Sequence, residues 1–114
     1  MREDNLVYVY HIRDAIATIH EYGQTHSFED FRDTEWDQSA IIRYFEIIGE
    51  AATKIDKTFR DEHSSIEWRD LSDFRNFLIH DYMDIDVSIV WDAITKDVPD
   101  LVVKINNLLA ALQK

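Results

Sequence analysis

The chain has 114 residues, no cysteine and a formal net charge of −11, from 23 acidic residues against 12 lysines and arginines. A chain of this length can build one hydrophobic core but not two, so residues 1–114 are expected to form a single domain. Without cysteine, disulfides and thiolate metal sites are excluded. The acidic balance excludes a broad basic surface for nucleic acids, which would have to bind through a local cleft, a second subunit or weak, transient contacts.

The composition also sets the fold class. Two glycines, one proline and no Asn-Gly or Asp-Gly pair leave little material for hairpins, so an all-α protein is predicted. No apolar run approaches the roughly 18 residues of a membrane span. The N-terminal residues contain no apolar segment of a signal peptide, and a cytoplasmic protein without a membrane partner is expected.

The first predicted helix runs from about Asn5 to Tyr22, where apolar residues recur at steps of three and four. Gly23 follows as the residue expected to end it. Ser27 is then predicted to cap a short helix that ends near Asp33, because a serine followed by acids is typical of a helix N-terminus.

The longest predicted helix starts at Thr34 and reaches about Ile55. Its apolar arc, beginning at Trp36, is wide enough for a central helix packed on two sides. Gly49 lies inside this helix at a cost of about 1 kcal/mol relative to alanine, which indicates a close helix crossing. The polar ridge that includes Arg43 and Glu50 is interpreted as a solvated face, with the approach of Arg43 to a binding groove left open.

Residues 58–64 are expected to form a polar connection, and the next helix runs from about Trp68 to Asp81. Asp84 or Asp86 caps a further helix, and the segment at Asp97 starts the last one. The predicted architecture is a compact up-and-down bundle of four main helices plus short ones.

The second half of the 68–81 helix carries the chemistry. The segment reads Arg75-Asn76-Phe77-Leu78-Ile79-His80-Asp81-Tyr82. Cleaving a phosphodiester without a metal needs a cation for the oxygens on phosphorus and a group that transfers protons near neutral pH. Arginine and histidine fill these two roles. Arg75 and His80 are therefore the candidate catalytic residues.

Helical spacing sets their relations. At about 100° per residue, Asn76 and His80 are neighbours, and Asp73 lies beside His80, so both are candidate supporting residues that could orient the imidazole. Arg75 and His80 diverge by about 140°. One phosphate must therefore bridge them, or a two-fold copy of the helix must bring one protomer's arginine near the other's histidine.

Simpler interpretations exist. An arginine and a histidine near a helix C-terminus face the negative end of the helix dipole favourably and need no further role. Tyr82 can be a packed phenol with a solvated hydroxyl. A metal site is not expected, because His11 and His20 are nine residues apart and no HExxH pattern occurs.

Further segments along the chain, in addition to this motif, match the pattern of one protein family. The matching segments, in order, are Tyr44–Ala52, Trp68, Arg75–Tyr82, Val90-Trp91 and Asp97–Leu101. Together they resemble the HepT family of the HEPN superfamily, the toxin partner of a minimal nucleotidyltransferase (MntA-like) antitoxin. The likeness covers nearly the whole chain, and no motif position is missing.

The resemblance implies an all-helical protein that dimerises through the motif helices, or forms a higher even oligomer, and acts as an RNase toxin of a type VII toxin-antitoxin system. It implies that Arg75 and His80 are the catalytic pair, that Asn76 supports them, and that the antitoxin transfers AMP to Tyr82. RNA and the antitoxin are the expected partners, with no DNA and no cofactor. The alternative is a non-catalytic helical adaptor of a nucleotidyltransferase.

Overall fold

The computed structural model describes residues 3–81 and 84–113, and all of the regular structure in them is helical. The elements are α1 (Glu3–Thr25), α2 (Phe28–Asp33), α3 (Glu35–Lys54), α4 (Lys57–Glu62), α5 (Trp68–His80), α6 (Val87–Asp92), a π-helical turn (Ala93–Asp97) and α7 (Val98–Leu112). The all-α prediction is confirmed.

One apolar cluster joins the four long helices. Helix α1 buries a stripe at three- and four-residue spacing, and α3 packs a second stripe between α1 and α5. The fully buried side chains of α1 are Val9, Ile12, Ile16 and Ile19. Leu78 of α5 and Ile105 of α7 are also completely inaccessible. The amphipathic pattern therefore places α5, and with it the motif, against the central helix.

The predicted cap of α2 is present. The Ser27 hydroxyl accepts a hydrogen bond from the backbone N–H of Asp30, whose carboxylate accepts one from the backbone N–H of Ser27. Hydrogen bonding of the Asp30 carboxylate to the Ser27 backbone N–H and side chain lowers the pKa of Asp30. A lowered pKa means that this contribution to stability is present above the ordinary aspartate pKa of about 4 and is lost as the pH falls through the lowered value.

Replacing Ser27 with alanine is expected to lower the free energy of unfolding by about 1 kcal/mol, because it leaves the N-terminal N–H groups of α2 without their side-chain acceptor. Urea unfolding at neutral pH measures this. Ser39→Ala, at an exposed serine inside α3, is the matched control and should leave the midpoint almost unchanged. Equal midpoints for the two variants would contradict the capping role.

A buried polar link was not foreseen. Asn5 is 3% exposed and bonds to Asp56 through both ends of its amide. Its oxygen accepts from the Asp56 backbone N–H at 3.0 Å, and its nitrogen donates to the carboxylate at 3.4 Å. This pairing attaches the start of α1 to the junction of α3 and α4, 51 residues away, so no local pattern could indicate it.

Two expectations for the long helices are wrong. Gly23 does not end α1, which continues to Thr25. A Cβ at Gly23 would lie 2.7 Å from Ile94 Cγ2, so the glycine serves a close packing contact. Trp36 is 86% exposed because it lies about 140° around α3 from Ile41, which is at the centre of the buried face.

The prediction of a polar connection at residues 58–64 is also wrong, since helix α4 forms there and buries Phe59. Phe59 is a single aromatic residue among polar neighbours, so the local pattern does not indicate that it is buried. The last helix begins where it was predicted, with Asp97 as its N-cap and Pro99 in its first turn, but a π-helical turn rather than a loop precedes it. Pro99 has no N–H for the carbonyl of Thr95, and a wider π-helical turn at this point accommodates its ring.

Candidate active site

The crossing of α3 and α5 fixes the position of Arg75. A Cβ built on Gly49 would lie 2.2 Å from Arg75 Cβ and 2.9 Å from the Leu71 carbonyl oxygen. Real side chains do not approach this closely, so only glycine permits the crossing. The expected close contact at Gly49 is confirmed, and it presses the stem of Arg75 against the central helix.

The guanidinium of Arg75 is held from two directions. Its Nη1 donates to Asn76 Oδ1 at 3.0 Å, and its Nη2 lies 3.8 Å from Glu50 Oε1. The side chain is 29% exposed. Neighbours on both α3 and α5 therefore position the Arg75 guanidinium, and part of its side chain remains accessible.

The Nε of Arg75 is buried and has no hydrogen-bond partner among the described residues. An unsatisfied buried donor costs about 1–3 kcal/mol. An apolar side chain of similar length would fill the same crossing without that penalty. Stability alone therefore does not account for an arginine at this position.

His80 is the last residue of α5 and is exposed. It follows Arg75 by about one and a half turns, or roughly 7.5 Å along the axis. No residue in the described part of the chain hydrogen-bonds to its ring, and the Asn76 amide oxygen accepts from Arg75 instead. The imidazole is free to meet a substrate or a second protomer.

The remaining sequence candidates are less closely placed. Asp73 lies 3.9 Å from Arg69 on its own helix, and its proposed support of His80 stays a prediction. Tyr82, the predicted acceptor of AMP, lies outside the described residues. Asp81 follows α5 directly and is exposed, so the chain leaves the helix at the surface beside His80.

Glu50 of α3 contacts Arg75 and connects a second α3 residue, Arg43, to the candidate site. Besides approaching Arg75, Glu50 Oε1 lies 3.8 Å from Arg43 Nη1. Arg43 also donates to Glu46 Oε1 at 3.3 Å. The polar ridge of α3 is partly exposed, as expected of a solvated face, and its Glu50 also approaches the motif arginine. The sequence signal for this role of Glu50 is its position directly after the crossing glycine, Gly49.

A cavity of about 360 Å³ lies between α3, α5, the π-helical turn and α7. Its floor is apolar, with Phe45, Leu71 and Phe74, and none of Arg75, Asn76 and His80 lines it. At its rim, hydrogen bonding to Asp70 raises the pKa of Glu67. The described residues contain no group of three or more His, Asp or Glu side chains arranged to hold a metal ion.

The helical fold and the Arg75–His80 motif together define a small all-α protein of the HEPN type. Residues 12–108 match the family described as "Ribonuclease HepT-like". The chain therefore belongs to the HepT-like ribonuclease family, as the resemblance of its motifs implied.

Individual relatives agree with this assignment. The chain is 37% identical over 108 residues to "Probable ribonuclease HepT" of Thermococcus cleftensis, covering 95% of this chain and 98% of the relative. It is 34% identical over 102 residues to a "Putative RNase" of Caldanaerobacter subterraneus, covering 90% and 91%. No solved structure matches.

A longer relative matches as well. The chain is 34% identical over all 114 residues to a "Gamma-glutamylcyclotransferase and putative RNase" of Methanocaldococcus jannaschii. It spans 51% of that protein.

Within residues 3–81 and 84–113, no helix has both the length and the apolar character needed to cross a membrane.

Proposed function

We propose that this protein is a metal-independent endoribonuclease that cleaves RNA with Arg75 and His80. The observation that carries the proposal is the Arg75 guanidinium, which is fixed at the Gly49 crossing at a cost in hydrogen bonding. An exposed imidazole follows on the same helix. No group of three or more His, Asp or Glu side chains in the described parts of the chain is arranged to hold a metal ion.

In the proposed reaction, the ribose 2′-oxygen attacks the adjacent phosphorus and the bond from phosphorus to the 5′-oxygen breaks. His80 carries out one of the two proton transfers, from the 2′-hydroxyl or to the departing 5′-oxygen, and water exchanges the other proton. Arg75 stabilises the charge that builds up on the phosphorus-bound oxygens. The products are a 2′,3′-cyclic phosphate and a free 5′-hydroxyl.

Two-fold pairing of the motif helices completes the proposed site. On one helix the two side chains diverge by about 140° and are separated by about one and a half turns, which does not suit a grip on a single phosphate. A symmetric dimer places the same surface against itself, so that one protomer's Arg75 can approach the other's His80. The exposure of His80 supports this arrangement.

The direct test of the proposal is cleavage of total RNA by purified, unmodified protein in the presence of EDTA. We expect fragments that end in a 2′,3′-cyclic phosphate, identified by mass spectrometry. Activity that appears only after a divalent metal is added would contradict the metal-independent mechanism.

We further propose that the protein is the toxin of a type VII toxin-antitoxin system in the cytoplasm, silenced when a nucleotidyltransferase antitoxin transfers AMP from ATP to Tyr82. The phenol oxygen would attack the α-phosphorus of ATP, its proton would be lost to a base, and pyrophosphate would leave. The adenylate adds negative charge and bulk two residues beyond His80. Both repulsion and occlusion would then prevent RNA from binding.

Co-expression with the nucleotidyltransferase is expected to raise the intact mass of the protein by whole AMP units. Tyr82→Phe removes the nucleophilic oxygen and should abolish the increment, whereas Tyr8→Phe, at a tyrosine of α1, should keep it. An unchanged mass of the unsubstituted protein, or an increment that survives in Tyr82→Phe, would contradict modification at Tyr82.

The second candidate is a non-catalytic adaptor that binds a nucleotidyltransferase. The net charge of −11 favours it, because phosphate-rich RNA is repelled by such a surface. An adaptor would show no cleavage in the EDTA assay and no change when Arg75 or His80 is replaced.

A further inference from the structure

Arg43 and Arg75 come from different helices and meet at one atom. Arg43 Nη1 and Arg75 Nη2 each lie 3.8 Å from Glu50 Oε1. The two nitrogens are therefore no further apart than twice that distance. The Arg43 side chain is 60% exposed and that of Arg75 is 29% exposed. The pair forms a short basic edge that extends the motif helix onto α3.

When the two glutamates that pair with these arginines are included, the edge carries no net charge. Glu50 and Glu46 are the carboxylates within ion-pair distance of the two guanidiniums in the described structure. The pairs are long and partly exposed, and such contacts are weak in water. A phosphate group offers a guanidinium shorter, charge-assisted and bidentate hydrogen bonds. It can therefore replace the Glu50 carboxylate with little loss.

We propose that Arg43 binds a phosphate of the RNA backbone next to the one that Arg75 grips, and that Glu50 occupies this phosphate site when RNA is absent. The inference rests on the ribonuclease function proposed above and extends its substrate site onto α3. Arg43 is a substrate-binding residue, and Glu50 is a positioning residue that sets the affinity of the edge. Arg75 keeps its place without Glu50, since Asn76 and the Gly49 crossing hold it.

The arrangement also explains how a strongly acidic protein can engage RNA. A phosphate that displaces Glu50 meets both guanidiniums at one place, so RNA can bind at this edge although the protein as a whole is acidic. Phosphate contacts of this kind fix position and affinity without reading sequence. The effect of removing either charge should therefore be the same for different RNA sequences.

The test measures binding of a labelled single-stranded RNA of about ten nucleotides by fluorescence anisotropy, in a His80→Ala background that prevents cleavage. Glu50→Gln should tighten binding by about tenfold, because it removes the competing charge and keeps the side-chain shape. Arg43→Ala should weaken binding by about tenfold and lower the salt dependence by about 0.7 in the log–log slope. Arg43→Lys should restore part of the affinity.

Charge-matched controls come from α1, where Arg13 and Asp14 form a local pair at 2.9 Å. Asp14→Asn and Arg13→Ala change the net charge as Glu50→Gln and Arg43→Ala do, but should leave the affinity almost unchanged. Equal effects at both places would show general electrostatics and overturn the proposal. So would unchanged or undetectable binding at low salt in the Glu50→Gln variant.

A cleavage assay on proteins that retain His80 separates the two proposals. Arg43→Ala should raise KM and leave kcat within about twofold, because Arg43 contacts a neighbouring phosphate and not the reacting one. A loss confined to kcat would overturn this role. Failure of the unsubstituted protein to cleave any RNA would refute the ribonuclease function itself, whatever the binding assay shows.

Discussion

Replacing either Arg75 or His80 with alanine is expected to lower the rate of RNA cleavage by about 10²–10⁴-fold. His80→Ala removes the proton-transfer group, and Arg75→Ala removes the cation that stabilises the phosphorus-bound oxygens. Arg75→Lys should recover only a small part of the activity, because an ammonium keeps the charge but not the planar fork. Initial rates on total RNA in EDTA measure all three variants.

The same chain offers matched controls for these substitutions. Arg69 lies on α5 and is 91% exposed, and His11 is an exposed histidine of α1. Arg69→Ala and His11→Ala should retain nearly full activity. All variants should unfold cooperatively, which circular dichroism can check. Full activity in Arg75→Ala or His80→Ala would remove the basis of the catalytic assignment.

Gly49→Ala is expected to lower both stability and activity. The added methyl group would lie 2.2 Å from Arg75 Cβ and 2.9 Å from a backbone oxygen, so α3 and α5 must separate. Overpacking of this kind destabilises a protein by about 1–3 kcal/mol, partly offset by the higher helix propensity of alanine. Because Arg75 moves with the crossing, kcat should fall at a temperature where the variant is still folded.

Gly23→Ala separates the two effects. Its Cβ would meet Ile94 Cγ2 at 2.7 Å, a less severe approach than that at Gly49, and the contact involves no residue of the motif. A smaller loss of stability with unchanged kcat is expected there. If Gly49→Ala unfolded and cleaved RNA like the unsubstituted protein, the crossing would not position Arg75.

The sequence predicts the long helices of this fold because their signals are local and repeated. The buried stripe of α1 and the ends of α3 follow from apolar periodicity over several turns. Where a feature depends on a distant partner, the same reasoning fails. The bond between Asn5 and Asp56 joins residues far apart in the chain, and Gly23 is set by packing on Ile94 rather than by the end of a helix.

The candidate site also has features that the sequence predicts and features that it does not. Helical spacing predicts that Asn76 and His80 are neighbours on α5 and that Arg75 and His80 diverge by about 140°. It could not predict that Asn76 would bond to Arg75 in preference to His80, since both partners are within reach on the helix. The part played by Glu50 depends on how α3 crosses α5, which no single-helix pattern contains.

Mixing two inactive variants tests most directly whether Arg75 and His80 from paired protomers form one active site. Arg75→Ala and His80→Ala proteins are each expected to be inactive in RNA cleavage. Co-expressed in equal amounts, half of the dimers contain one subunit of each kind, and each such dimer has one site with both side chains intact. The mixture should then show about one quarter of the unsubstituted activity. A mixture as inactive as either variant alone would contradict a site shared between two protomers.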